Sequence, residues 1–230
     1  MPWASVERPS PALSALAAFV HRELPDVRVA VRSEYVELAQ RIQVPYEPIA
    51  EFCYEIGEAL YASLLYEGRD ETVADAFAAW ARGRGSAQLQ ELSDEQLLRA
   101  LHDLRQELRA HARAVAHEVA PDSDVVGLSC AFGQVFASIL VARYVKEARP
   151  ECLVVLGGSS VSAAVGPSLL AEYAAVDCVV QGEGERALIA ILNARSTGEP
   201  VSHPNVLDRR VATSPSQWWS PTIGLALNPW

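Results

Sequence analysis

Three short apolar runs, each followed by a helical pattern, stand in the second half of the chain. Residues 124–130 read DVVGLSC, residues 152–160 CLVVLGGSS, and residues 176–185 VDCVVQGEGE. Their cores are β-branched and nearly continuous, as in strands covered on both faces. Apolar positions at helical spacing predict helices near 132–148, 164–174 and 184–194. This alternation predicts a parallel α/β sheet with right-handed crossovers. Open sheets of this kind bind ligands at the carboxyl ends of their strands.

The first half is patterned differently. Residues 1–11 form a loop with three prolines, and 12–23 read as a helix with Leu13, Leu16, Ala17, Phe19 and Val20 on one side. Residues 26–32, DVRVAVR, alternate apolar and polar, which predicts a half-exposed edge strand. Residues 46–119 are rich in Ala, Leu, Glu, Arg and Gln, and predict helices near 46–66, 71–82, 93–99 and 101–118. Ser93 with Gln96 forms a capping box, and Gly83 and Gly85 interrupt the run. The segment is expected to be a helical insertion. Trp80 and the tyrosines are its packing residues, Arg105, Glu107 and Arg109 a solvated face, and His102, His111 and His117 surface residues. After Ala194 periodicity is lost, so 1–194 is expected as one domain and 195–230 as a tail or linker. No internal repeat is present.

Half of the 230 residues are hydrophobic, enough for a sizeable core, and the net charge is −10. That charge argues against nucleic acid and an anionic membrane surface. No apolar run reaches membrane-spanning length. No basic region precedes the apolar helix near the N-terminus, which argues against a signal peptide. Cys130, Cys152 and Cys178 lie in or beside apolar strands, and no cysteine pair has CxxC spacing, so zinc and redox motifs are not expected. A reduced, cytoplasmic protein is the expectation.

The strand-end loops carry the candidate chemistry. In the first, Ser129 lies just before a helix and offers a hydroxyl to a ligand or caps the helix. In the second, Gly157 and Gly158 admit close backbone approach or a tight turn. The third, residues 181–187, matches the GxGxxA pattern of a dinucleotide site. However, two carboxylates stand where pyrophosphate needs backbone amides, and the pattern follows the last strand rather than the first. A nicotinamide or flavin dinucleotide is therefore rejected. A neutral, amide-rich ligand suits this loop better.

In this order, GLSCAFGQVFASILVARYVKEARPECLVVLGGSSV and VDCVVQGEGE resemble the cobalamin-binding domain of cobalamin-dependent radical S-adenosylmethionine enzymes, in the branch that modifies ribosomally made peptides. The opening MPWASVERPSPALSALAAF resembles that family's first loop and helix, and the helical middle sits where the branch carries an insertion. The likeness covers residues 1–194 as a layout and is specific in 124–192. It implies a flavodoxin-like (Rossmann-like) fold with strand order 2-1-3-4-5, and vitamin B12 (cobalamin, a cobalt corrinoid) as ligand. It also implies that Ser129, Phe132 and Gln134 line one strand end and that Gly157, Gly158 and Ser159 sit against the nucleotide tail. Gln181, Gly182, Glu183 and Gly184 would face that tail, and Ser5 and Pro9 would lie near the lower face of the corrin.

The chain departs from this family in two ways. The strand expected before the Met-Pro loop is not in this sequence, so either the start is truncated or another segment fills its place, and no Cys-x3-Cys-x2-Cys motif for an iron–sulfur cluster is present. The resemblance thus implies the cobalamin-binding part of a methyltransferase-type enzyme that is not catalytic alone, with a radical S-adenosylmethionine catalytic domain or subunit as partner. None of the five histidines sits in an Asp-x-His-x-x-Gly motif, so the cobalamin is expected base-off, without a histidine ligand from this chain. The alternatives are a standalone cobalamin-binding or regulatory module, and an enzyme of another flavodoxin-like class. The latter lacks a nucleophile elbow and a P-loop.

Overall fold

The computed structural model describes residues 2–4, 6, 10–66, 68, 70–162 and 164–211. The expected α/β, flavodoxin-like class holds, with a mixed sheet in the order β1(Val125–Ser129), β2(Leu153–Gly157), β3(Cys178–Val180), β4(Val206–Asp208). β1–β3 are parallel and β4 is antiparallel to β3. The helices α8(Val135–Ala148), α9(Gly166–Glu172) and α10(Glu185–Thr197) follow β1, β2 and β3. Alternate strand residues feed two cores. Val126, Leu128, Val154, Leu156 and Val179 join the large core, which holds residues of α8 and α9. Leu153, Val155, Cys178 and Val180 join a small core with Ala187, Ile191 and Ala194 of α10.

The helical insertion belongs to the large core. Its long helix α7(Asp94–Val119) packs along α8. Two helices were expected here, near 93–99 and 101–118. One forms because no breaker separates them and Leu97, Leu101, Leu104, Leu108 and Ala112 make a continuous buried stripe. The Ser93–Gln96 capping box starts it. The helix expected over 46–66 is instead broken into α3(Tyr46–Glu51), a π-turn at Cys53–Gly57 and α4(Glu58–Leu65). Arg105 is not simply solvated: its guanidinium donates to the Ser63 carbonyl at 3.1 Å and pairs with Asp70 at 2.7 Å. His111, expected at the surface, is buried on the inner stripe of α7, and neither ring nitrogen has a hydrogen-bond partner.

Three further differences concern the flanks. No strand forms over 26–32. An alternating segment needs a neighbouring ladder, and among the described residues the outer edge of β1 pairs with none. Val29 and Val31 stay exposed, while Arg32 turns to Glu118 of α7 at 2.5 Å. A short helix, α2(Glu34–Arg41), follows unheralded. Residues 195–211, expected as tail or linker, carry the end of α10 and β4 instead. Arg209 donates to the carbonyls of Tyr173 at 2.7 Å and Val176 at 2.8 Å, which binds β4 to the end of α9. β4 reads Val-Leu-Asp between Asn205 and Arg209, so no apolar run marks it, whereas the equally short β3 lies in the mainly apolar run 176–180. Residues 212–230 of the expected tail lie outside the described residues. So do Ser5 and Pro9.

Candidate cofactor site

The first two strand ends are sewn together by backbone. Ser129 and Gly157 are register partners. The Cys130 amide donates to the Gly157 carbonyl at 2.6 Å, and the Ser160 amide to the Cys130 carbonyl at 3.0 Å. Gly158 turns at φ 109°, and a Cβ there would stand 2.5 Å from the Cys130 carbonyl oxygen. Glycine is thus required by the loop itself, before any ligand is considered. A larger residue at 158 would break this turn whatever binds nearby. Gly158 and Ser159 are exposed at the rim, and Gly157 and Ser129 are half-buried beneath them.

Gln134, at the start of α8, is buried. Its carbonyl accepts from the Ala131 amide at 2.9 Å and its amide donates to the Pro2 carbonyl at 2.8 Å. The side chain therefore ties the first loop to the N-terminal segment. Trp3 of that segment is buried against Tyr46 and Tyr61, and the Tyr46 hydroxyl donates to the Ala4 carbonyl. Residues 2–4 are thereby held at the same end of the sheet as the loops. Phe132 takes the left-handed region at φ 46°, a conformation that costs a bulky residue about 1–3 kcal/mol. Its ring is 62% exposed.

Glu58, the first residue of α4, was not singled out by the sequence. Its carboxylate accepts from the Val135 amide at 2.9 Å and the Phe136 amide at 3.1 Å. It caps α8 from another element. Burial pushes the Glu58 carboxyl above its usual range, and the two amides oppose the rise only in part. A helix start at a strand end ordinarily attracts phosphate; here the protein's own carboxylate fills it. Only the contact shows this role, since an isolated glutamate among several in a helical run carries no distinguishing pattern.

The third loop is held from the side of β4. The Gln181 amide donates to the Asn205 carbonyl at 2.9 Å, and the Asn205 side chain to the Glu183 carbonyl at 3.5 Å. The Gln181 side chain reaches the Ser162 carbonyl at 3.3 Å, which links the third loop to the second. Asn205, another residue the sequence did not flag, lay in what read as a tail. Gly182 and Glu183 are exposed, and Gly184 lies against Leu16 of α1(Pro11–Glu23). α10 starts here without a side-chain cap. Exposed Arg186, in its first turn, has no partner among the described residues. Glu183 and Glu185 offer acceptors to amides. Exposed Arg186 adds a single cation to this otherwise acidic helix start.

The structure therefore brings Ser129, Phe132, Gly157, Gly158, Ser159, Gln181, Gly182, Glu183 and Gly184 to one end of the sheet, with Gln134 beneath them. All four cysteines are free and buried, and burial pushes Cys130 up to about 12. Among the described residues no helix is long and apolar enough to cross a membrane.

Residues 94–192 match the family model of the B12 binding domain. The 2-(S-pantetheinyl)-carbapenam-3-carboxylate methyltransferase of Streptantibioticus cattleyicolor is 40% identical over 79 residues. That stretch is 34% of this chain and 12% of the relative, so the chain spans about an eighth of the curated protein it matches. No solved structure matches the chain. The family match covers fewer than half of the 230 residues, but it takes in α7 and all three strand-end loops. Over residues 94–192, the part that builds the site, this chain is similar to a B12 binding domain.

Proposed function

We propose that this chain binds cobalamin at the carboxyl ends of β1–β3, as the cobalamin-binding part of a larger radical S-adenosylmethionine methyltransferase-type enzyme that modifies peptides. The observation that carries the reading is the family match falling on the segment that forms the three loops. The donor set suits the ligand. The nucleotide tail of cobalamin holds a phosphate and the corrin carries amide side chains. The third loop offers carboxylates at Glu183 and Glu185 to the amides and the exposed Arg186 guanidinium to the phosphate. Gly158 and Ser159 leave the rim of the second loop exposed to a ligand tail. Ser5 and Pro9 would lie on the lower face of the macrocycle.

When bound, cobalamin supplies a cobalt that carries a methyl group. This chain's part is to hold and orient it. His21, His102 and His117 are exposed on helices, His111 is buried on the inner stripe of α7, and half-buried His203 accepts the Asn205 amide on its Nδ1 at 3.1 Å. No histidine is therefore assigned to the metal, and the cofactor is read as base-off. The catalytic chemistry belongs to a partner domain or subunit, a reading supported by a methyltransferase relative far longer than the matched stretch; the peptide substrate rests on the sequence resemblance alone.

The test is to incubate the 230-residue chain with cob(II)alamin, separate it from free ligand, and record visible absorption and electron paramagnetic resonance. The expected result is retained cobalamin with no superhyperfine splitting from an axial nitrogen. Ser159→Leu, a change at an exposed position that leaves the loop backbone intact, should weaken retention. Absence of bound cobalamin refutes the binding reading, and nitrogen splitting refutes the ligation.

A further inference from the structure

The π-turn of the insertion is pressed onto the first strand-end loop. Gly133 lies at φ 69°, and a Cβ there would stand 2.8 Å from the Cys53 carbonyl oxygen. The next residue, Tyr54, is 66% exposed, although every other described tyrosine is buried or half-buried. Its ring meets the exposed Phe132 ring edge to face, with centroids 6.4 Å apart. Neither ring contributes to a core. Two irregular backbone features, a π-turn and a left-handed phenylalanine, serve to place them together, and such features recur at functional sites.

The surroundings narrow what the pair fits. Phe132 is two residues from Cys130, whose backbone is bonded to the second loop, so the rings are continuous with the strand ends. Beside Tyr54, Glu55 pairs with Arg84 at 3.3 Å, and Arg84 lies over the Phe52 ring at 4.5 Å. The local charges are satisfied internally, which disfavours an anionic occupant and favours a flat, neutral, apolar one.

We propose that the Tyr54 ring, braced edge to face by Phe132, forms an aromatic shelf for one flat side of the cobalamin macrocycle, so that the helical insertion itself contributes to cofactor binding. This rests on the cobalamin reading above. The shelf extends the site beyond the three loops, and Tyr54 becomes a contact supplied from outside the family-matched stretch.

The test compares cobalamin affinity, by equilibrium dialysis with hydroxocobalamin, for wild type, Tyr54→Ala and Tyr54→Phe. The visible circular dichroism of the bound corrin is recorded alongside. Loss of a stacked ring should weaken binding about tenfold, on the scale of base–aromatic stacking. Tyr54→Phe should stay within about twofold, and Tyr54→Ala should also change the corrin dichroism. Tyr54 is exposed, so far-ultraviolet dichroism should remain that of wild type. A wild-type chain that binds no cobalamin overturns the functional reading and the shelf together. Binding by wild type with Tyr54→Ala unaltered in affinity and dichroism overturns the shelf alone. So does equal loss in Tyr54→Phe, which would assign the effect to the hydroxyl. If Tyr54→Ala instead abolishes self-association of the chain and leaves cobalamin binding intact, the occupant is a second copy and the shelf for corrin is refuted.

Discussion

Replacing Glu58 by alanine should loosen the first strand-end loop by uncapping α8 from a distance. Two amides, those of Val135 and Phe136, lose acceptors at 2.9 and 3.1 Å. Loss of a helix N-cap costs about 0.5–2 kcal/mol, and a hydrogen bond to a charged group contributes about 1.5–3 kcal/mol. Part of this is offset because the half-buried carboxylate no longer has to be desolvated. Burial already holds its carboxyl above the usual range. The net expectation is a loss of about 2 kcal/mol. With a urea slope of about 3 kcal/mol/M, the unfolding midpoint should fall by roughly 0.7 M. Glu58→Gln keeps an acceptor and should sit between. The pH dependence follows from the sign of the shift. A carboxyl raised in the folded state contributes stability that is full below its unfolded value, about 4.3, and lost as pH rises through the folded one. Glu58→Gln should therefore gain on wild type as pH rises from about 4.3 towards neutrality. An unchanged midpoint for the alanine variant, or a glutamine variant that loses ground as pH rises, would refute the reasoning.

Two other buried ionisable groups make opposite contributions. Among the described residues neither nitrogen of His111 has a hydrogen-bond partner, beside a cavity of about 10 Å³, and burial, opposed by Glu37 and Glu34, holds its pKa below the usual value. His111→Leu should raise stability by about 1 kcal/mol. It should also remove a loss of stability that wild type shows as pH falls below about 6.5; melting curves at neutral and mildly acidic pH check both. Asp208 accepts from the Val201 and Arg210 amides at 2.7 and 2.9 Å and from the Arg210 guanidinium at 2.8 Å. Burial pushes its carboxyl up, but these donors outweigh it and hold it low. Its stabilisation is present above about 3.9 and lost as pH falls through the folded value. Asp208→Asn should cost about 2 kcal/mol at neutral pH and flatten the acid limb of a dichroism titration.

The parallel strands were legible because burial on both faces writes itself as unbroken apolar runs, as in Cys152–Leu156, and the loops were legible because they follow those runs directly. The edge strand failed for the converse reason. Alternation at 26–32 states only that a segment is fit to be half-covered, and whether a ladder stands beside it is a tertiary fact. β4 was invisible because its two apolar residues are flanked by Asn205 and Asp208 rather than lying in an apolar run, although Asp208 and Arg209 bind it firmly into place. Helix existence in the insertion was readable from spacing, but the π-turn was not, because Cys53–Gly57 keeps helical composition while changing its hydrogen-bond step. The glycine pair shows another limit. Gly158 stood out as a ligand contact, yet its immediate reason is the Cys130 backbone 2.5 Å from where a side chain would start. Glu58 and Asn205, which hold the loops, make their contacts across 77 and 22 residues of sequence, and no local pattern announces such partners.

The bond between Gln134 and the Pro2 carbonyl spans 132 residues, and this has a consequence for the order of events during synthesis. Residues 2–4 leave the ribosome well before their partners do, because their seat is built from Tyr46, Tyr61 and the start of α8. At about 5–20 residues per second, the chain must wait several seconds between making that opening segment and making the glutamine that fastens it. The N-terminal segment is thus an early piece with a late address. Because non-local contacts of this length are slow to close, the strand-end loops should reach their final shape late, after the helices beneath them are packed. A variant that weakens Gln134 should delay the completion of the site while leaving the earlier collapse of the helical insertion untouched.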